Sequence, residues 1–183
     1  MSTKDQRVKI VLSQVKADDA VALAKARNEK QERFGAMTYG DRRGSLEAHL
    51  LGILPEMAAA EHFGVDLDRR IFYGHGDDGE DLVLPQYGVT QLKATTFWSD
   101  PWLRAEVEHD HDWIQTYMLA YVDAKNVRNV WLVGWLPRWE VIAKPTGRLV
   151  EGGPLNYLAK ESELNAMLAM DSLACASGST WVW

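Results

Sequence analysis

The chain has 183 residues, 46% of them hydrophobic and 25% charged, with a formal charge of −6 and a single cysteine. That balance excludes a disordered or fibrous chain and fits one domain with a real core. One cysteine, Cys175, excludes an internal disulfide, no apolar run reaches the roughly 18–20 residues of a membrane span, and no signal-peptide segment opens the chain, so a cytoplasmic protein is expected.

Residues 8–12 alternate and predict a short strand. Asp18 or Asp19 is placed to cap a helix running to about Phe34, made basic by Lys16, Lys25, Arg27, Lys30 and Arg33. Gly35 stops it, and a loop over residues 35–44 carries Arg42 and Arg43. Ser45 caps a second, widely apolar helix that ends near Gly64. Pro55 inside this helix predicts a kink or a restart, which would put Glu56 near a helix N-terminus. Residues 70–73 read as a strand and residues 74–79 as a glycine-rich acidic loop. Beyond a hairpin, residues 95–112 read as a polar excursion with aromatics. Residues 114–122 and 130–136 read as two strands, the second apolar on both faces and therefore central. Pro137 opens a short helical turn, and Ser162 caps a last helix to about Leu173. The chain divides into a basic N-terminal strand and helix (1–44), a core (45–145) and a C-terminal helix and tail (146–183).

Charge is uneven along this order. Residues 1–49 hold 10 Lys/Arg against 7 Asp/Glu, and residues 50–183 hold 10 against 19. A basic part beside an acidic, cation-attracting part suits a nuclease, and suits an ordinary solvated helix equally.

The chemistry concentrates in the hairpin. Gly79-Glu80-Asp81-Leu82-Val83-Leu84 and Val89-Thr90-Gln91-Leu92-Lys93-Ala94-Thr95 flank a turn. Strand residues two apart share a face, so Gln91 and Lys93 project together and Leu92 points away. Asp81 joins them only if the loop holds an odd number of residues. A three-residue loop, 85–87, pairs Leu84 with Gly88 and Asp81 with Gln91, and puts Gly88 where a positive φ is wanted. An even loop splits the trio. The carboxylate of Asp81, the Gln91 amide oxygen and the Leu92 main-chain carbonyl are donors for a hard cation such as Mg²⁺. Lys93 would position a water or offset phosphate charge. The same residue types also populate plain solvent-facing hairpins, and spacing alone does not separate the two.

Other polar runs carry less. Gly74-x-Gly76-x-x-Gly79 spells a dinucleotide fingerprint but precedes a strand rather than a helix, and Asp77 and Asp78 would repel a pyrophosphate. His109-Asp110-His111-Asp112 lacks a second pair of zinc ligands and reads as exposed loop. Trp98 lies just past the lysine strand, where it either packs or stacks on bases. Lys30, Arg33, Arg42 and Arg43 are candidates for backbone phosphates.

The wider order of elements resembles the PD-(D/E)xK nuclease superfamily, in particular its small phage and prokaryotic members and the Mrr-like branch with Gln-x-Lys. The residues that carry the resemblance are Gly52-Ile53-Leu54-Pro55-Glu56-Met57-Ala58, then Asp81, then Gln91-Leu92-Lys93. It spans roughly residues 8–170. It implies a restriction-endonuclease-like α/β core, with a central mixed sheet of four to five strands flanked by helices. It also implies a Mg²⁺-dependent (or Mn²⁺-dependent) endonuclease acting on DNA. Glu56 and Asp81 would hold the metal, assisted by Gln91 and Leu92, and Lys93 would serve catalysis. The chain departs from the pattern in three places. No proline precedes Asp81, Gln91 stands for the commoner acid, and Pro55 stands for a small residue. The loss of charge at Gln91 leaves a second reading, a catalytically silent nucleic-acid-binding protein with a nuclease fold. A nucleotide-binding protein built on the glycine loop is a third. The Trp181-Val182-Trp183 end offers a surface for a homodimer contact or for packing within one chain.

Overall fold

Ser13 opens the first helix. The Lys16 N–H donates to Ser13 Oγ at 3.3 Å, a side-chain cap of an otherwise orphaned helix donor. Helix α1 (Gln14–Arg33) follows strand β1 (Val8–Val11) at once. Asp18 and Asp19, expected as caps, lie inside the helix, where Asp18 accepts from Gln14 Nε2 at 2.9 Å, one turn apart. The computed structural model describes residues 6–33, 46–67 and 81–167. The expected stop at Gly35, the cap at Ser45, the strand at 70–73 and the glycine loop lie outside them.

Helix α2 (Leu46–Phe63) runs through Pro55 without the expected restart. Every residue from Ile53 to Ala60 is buried. Burial on all sides outweighs the hydrogen bond that a proline cannot donate. Glu56 is therefore a mid-helix residue. The helix ends where Gly64 takes φ 68° and the Val65 N–H donates to the Ala60 carbonyl at 3.0 Å, a C-terminal closure that glycine makes without strain.

Among the described residues five strands form the main sheet, in the order β1, β6 (Asn129–Pro137), β5 (Thr116–Val122), β3 (Gly88–Thr95), β2 (Leu82–Leu84). All neighbours are antiparallel except β3 and β5, which are parallel. The middle strand is β5, with the doubly apolar β6 beside it. Helices α1 and α2 cover one face. Ile53, Leu54, Met57 and Ala58 meet Leu82, Leu84, Leu92, Met118, Ala120 and Leu132 there.

A second sheet covers the other face. Parallel neighbours require a long crossover, and residues 96–115 supply it with a strand rather than a helix. This is β4 (Trp102–Glu106), followed by a 3₁₀ turn over Val107–His109. The stretch expected as irregular thus contains an ordered strand, with Leu103 and Ala105 buried and Arg104 exposed between them. Strand β4 pairs with β8 (Leu155–Lys160), which pairs with β7 (Thr146–Arg148). Leu103, Ala105, Ala159 and Val141, the last from the short helix α3 (Arg138–Val141), pack on Tyr117, Leu119, Val133 and Leu136. Helices therefore flank the sheet mainly on one side.

The helix expected from Ser162 is absent from the described residues. A 3₁₀ turn over Glu161–Glu163 leads into extended chain at Leu164. Asn165 and Trp135 exchange backbone hydrogen bonds of 2.9 and 3.1 Å. The chain can lie this close because residue 134 is glycine. A Cβ there would stand 2.8 Å from both the Asn165 carbonyl oxygen and Leu164 Cβ. Pairing with β6 wins over local helix propensity. Residues 168–173 lie outside the description.

Candidate active site

The hairpin closes with the three-residue turn. Leu84 pairs with Gly88, Val83 with Val89 and Leu82 with Thr90. Gly88 has φ 67°, a conformation that side chains beyond glycine adopt at a cost. Regular pairing ends there, since the Asp81 N–H also donates to the carbonyl of Thr90, the residue already paired with Leu82, at 3.3 Å. The odd loop is as expected, and the pairing stops at Leu82 and Thr90, one residue short of Asp81 and Gln91.

Alternation assigns the faces. Leu82, Leu84 and Leu92 enter the helix-side core. Gln91 and Lys93 pair with Tyr117 and Leu119, which belong to the opposite core. Asp81 stands just before Leu82, where the paired stretch ends. Its carboxylate turns along the sheet plane, where Oδ2 accepts the Leu92 N–H at 2.5 Å. Strand β2 begins only at Leu82, so Asp81 stands in for the next ladder acceptor. A strand residue's N–H and C=O leave on the same side. The Leu92 carbonyl therefore also points to this edge, beside Asp81.

Gln91 is 6% exposed. Lys93 is half-buried, and no acid among the described residues forms an ion pair with it. Asp81 is bonded to the Leu92 main chain, and Gln91 and Lys93 flank Leu92 on β3.

Glu56 comes from the other side. It sits in the helix layer toward which Leu92 points, 6% exposed, with Arg27 Nη1 at 3.6 Å from its Oε1. Burial and the same Arg27 push His49 below the ordinary histidine value. The sheet runs between the Glu56 backbone and the side chains of Gln91 and Lys93. The edge beyond the end of β2 is where the two faces meet. Among the described residues no three His, Cys, Asp or Glu side chains converge as a cation cage. A carboxylate, an amide and a carbonyl are hard oxygen donors, and fit a cation that keeps most of its waters.

The His109–Asp112 run is not the plain exposed loop expected. The Tyr117 hydroxyl donates to Asp110 Oδ1 at 2.7 Å. Arg138 reaches Asp110 through Nε at 2.9 Å and Nη2 at 2.7 Å, and Asp112 at 2.9 Å. Burial alone would raise the Asp110 pKa. The Arg138 and Tyr117 hydrogen bonds outweigh it and hold that carboxyl below the ordinary aspartate range. Burial, then the Asp110 acceptor, pushes the Tyr117 phenol far up. Its hydroxyl stays protonated as a donor.

Trp98 is 37% exposed and packs edge-on against Tyr121 and Trp131. The Tyr121 and Trp131 contacts were not legible in the sequence, because only strand register reveals them. Arg42 and Arg43 lie outside the described residues, as do the side chains of Lys30 and Arg33. No helix among the described residues is long and apolar enough to cross a membrane. No family model, curated protein or solved structure matches the chain.

Proposed function

We propose that the β3 edge is the active site of a divalent-metal-dependent endonuclease that hydrolyses DNA phosphodiesters, on a restriction-endonuclease-like core of the PD-(D/E)xK kind. The observation that carries this reading is the bond from the Leu92 N–H to the Asp81 carboxylate, on a strand where Gln91 and Lys93, either side of Leu92, share one face.

Asp81 and the Leu92 carbonyl would hold Mg²⁺ or Mn²⁺, with the Gln91 amide beside them. Glu56 would join from the helix layer past the end of β2. When bound, such a cation supplies Lewis acidity toward a phosphate oxygen and eases ionisation of a water. Lys93 orients the attacking water or offsets the charge that grows on the phosphate. The buried flank of Gln91 keeps the amide in place and limits the water that competes for these donors.

Two observations favour a second reading, a catalytically silent DNA-binding protein with the same fold. Gln91 brings no charge to the edge, and Glu56 pairs with Arg27 on the helix side. Incubation with supercoiled, linear and branched DNA in Mg²⁺ or Mn²⁺, beside Asp81→Ala and Lys93→Ala, separates the two. Cleavage that needs the metal and disappears in both variants supports the nuclease. Binding without cleavage in either metal supports the silent protein.

A further inference from the structure

We propose that an aromatic row one step beyond Lys93 is a stacking surface for unpaired bases, which makes single-stranded or locally opened DNA the substrate class. The inference rests on the nuclease reading of the β3 edge.

The row is built by register. Thr95 pairs with Tyr121, Tyr121 with Trp131, and Trp131 with Lys9, so four strands bring these residues side by side. Thr95 lies two residues past Lys93 on the same face, about 7 Å along the strand. Three strand spacings, about 14 Å, separate β3 from β1. The surface therefore starts beside the candidate catalytic lysine and ends at a second lysine. Lys9 Nζ stands 4.9 Å from the Trp131 ring centroid.

Trp98 stands on this row, its ring 4.7 Å from Tyr121 and 5.1 Å from Trp131, near-perpendicular to both. Arg7 fixes it there. The guanidinium carbon lies 4.2 Å over the Trp98 ring, and Nη2 donates to the Trp98 carbonyl at 3.2 Å. Arg7 is in turn held by buried Glu161 through two bonds of 2.6 and 2.7 Å. A ring so clamped loses little freedom when a base packs on its exposed part. Phe97, the next residue back, is 66% exposed, and its N–H is bonded to Thr95 Oγ1.

Aromatic rings with a lysine at each end complement a polyanion that carries flat rings. Of the acids near this face, Glu161 is neutralised by Arg7, and the Asp123 carboxylate is held by the Lys125 N–H and Asn129 Nδ2. A duplex keeps its base faces inside its own stack, whereas a single strand presents them.

The test uses the intact protein in EDTA, with fluorescence anisotropy on labelled oligo-dT of about 20 nucleotides and on a duplex of equal length. Oligo-dT is expected to bind at least about tenfold more tightly than duplex. Phe97→Ala and Trp131→Leu are each expected to weaken oligo-dT binding by about tenfold and to leave duplex binding unchanged. Lys9→Gln should reduce its salt dependence. Phe97→Ala, at an exposed position, keeps the test valid if Trp131→Leu does not fold. Equal binding of duplex, no binding of oligo-dT, or unchanged affinity in folded variants overturns the proposal. If those variants lose oligo-dT while the wild type cleaves nothing in any metal, the nuclease reading fails and the stacking surface stands. If Lys93→Ala abolishes cleavage but the aromatic variants bind normally, the surface fails and the nuclease reading stands.

Discussion

Arg138 and Lys93 are both cations on the face of the main sheet turned away from the helices, and their surroundings are opposite. Arg138 spends its guanidinium on Asp110 and Asp112, and the Tyr117 hydroxyl fills out the Asp110 carboxylate. Lys93 sits half-buried beside a buried amide, with no ion pair among the described residues. A cation matched donor for acceptor by its own chain is building material. One brought to the end of a ladder with its charge unspent is available to something else. Titratable clusters in this fold are therefore distinguished by what they leave over, since the more crowded cluster is the structural one.

The largest effect expected is at Lys93. Lys93→Ala should lower metal-dependent cleavage by about 100-fold or more, the scale of removing one transition-state charge contact. Stability should move by less than about 0.5 kcal/mol. A strongly destabilised Lys93→Ala, seen by urea unfolding, would erase the contrast with Arg138.

Arg138→Met should do the reverse. It leaves Asp110, whose side chain is 8% exposed, without its main partner, and is expected to cost about 2–3 kcal/mol while cleavage per folded molecule holds. The pH dependence has a definite sign. The folded Asp110 pKa lies below its unfolded value, so the pairing stabilises the fold above the ordinary aspartate range. That contribution is lost as pH falls through the lower, folded value. The stability gap between wild type and Arg138→Met should close on acidification.

Gly88→Ala probes the turn. A side chain at φ 67° would also run into Gln115, and the cost should be about 1–2 kcal/mol by thermal unfolding. The smallest effect is expected at Glu56. Glu56→Gln should reduce cleavage by about tenfold or less, because Arg27 shares its carboxylate. A loss equal to that of Lys93→Ala would mean that Glu56 reaches the edge fully.

The hairpin was legible because its rule is arithmetic. Loop parity and Gly88 determine the pairing of Leu84 with Gly88 and Leu82 with Thr90, and both are visible in a string of letters. The second sheet was less so. The alternation of Leu103 and Ala105 with Arg104 was available, but Thr146–Arg148 and Leu155–Lys160 are short and carry Gly147, Asn156 and Lys160. Nothing local marks them as strands until they pair. The stretch from Ser162 reads as helix by propensity and is drawn out by Trp135 and Gly134, residues about 30 positions earlier. The side assignment of Glu56 needed the helix layer, and the aromatic row needed register across four strands. Both lie beyond any local signal.

The Arg7–Glu161 clamp joins residues 154 positions apart. A growing chain synthesises the guanidinium long before the carboxylate. Until Glu161 emerges, burying Arg7 would mean burying an uncompensated charge, which costs several kcal/mol. The first strand is thus kept from settling early against β6, which is itself made late. The order of synthesis and the order of docking run opposite ways, and in refolding the same contact closes a loop between residues 154 positions apart, so β1 should be among the last elements to gain amide protection.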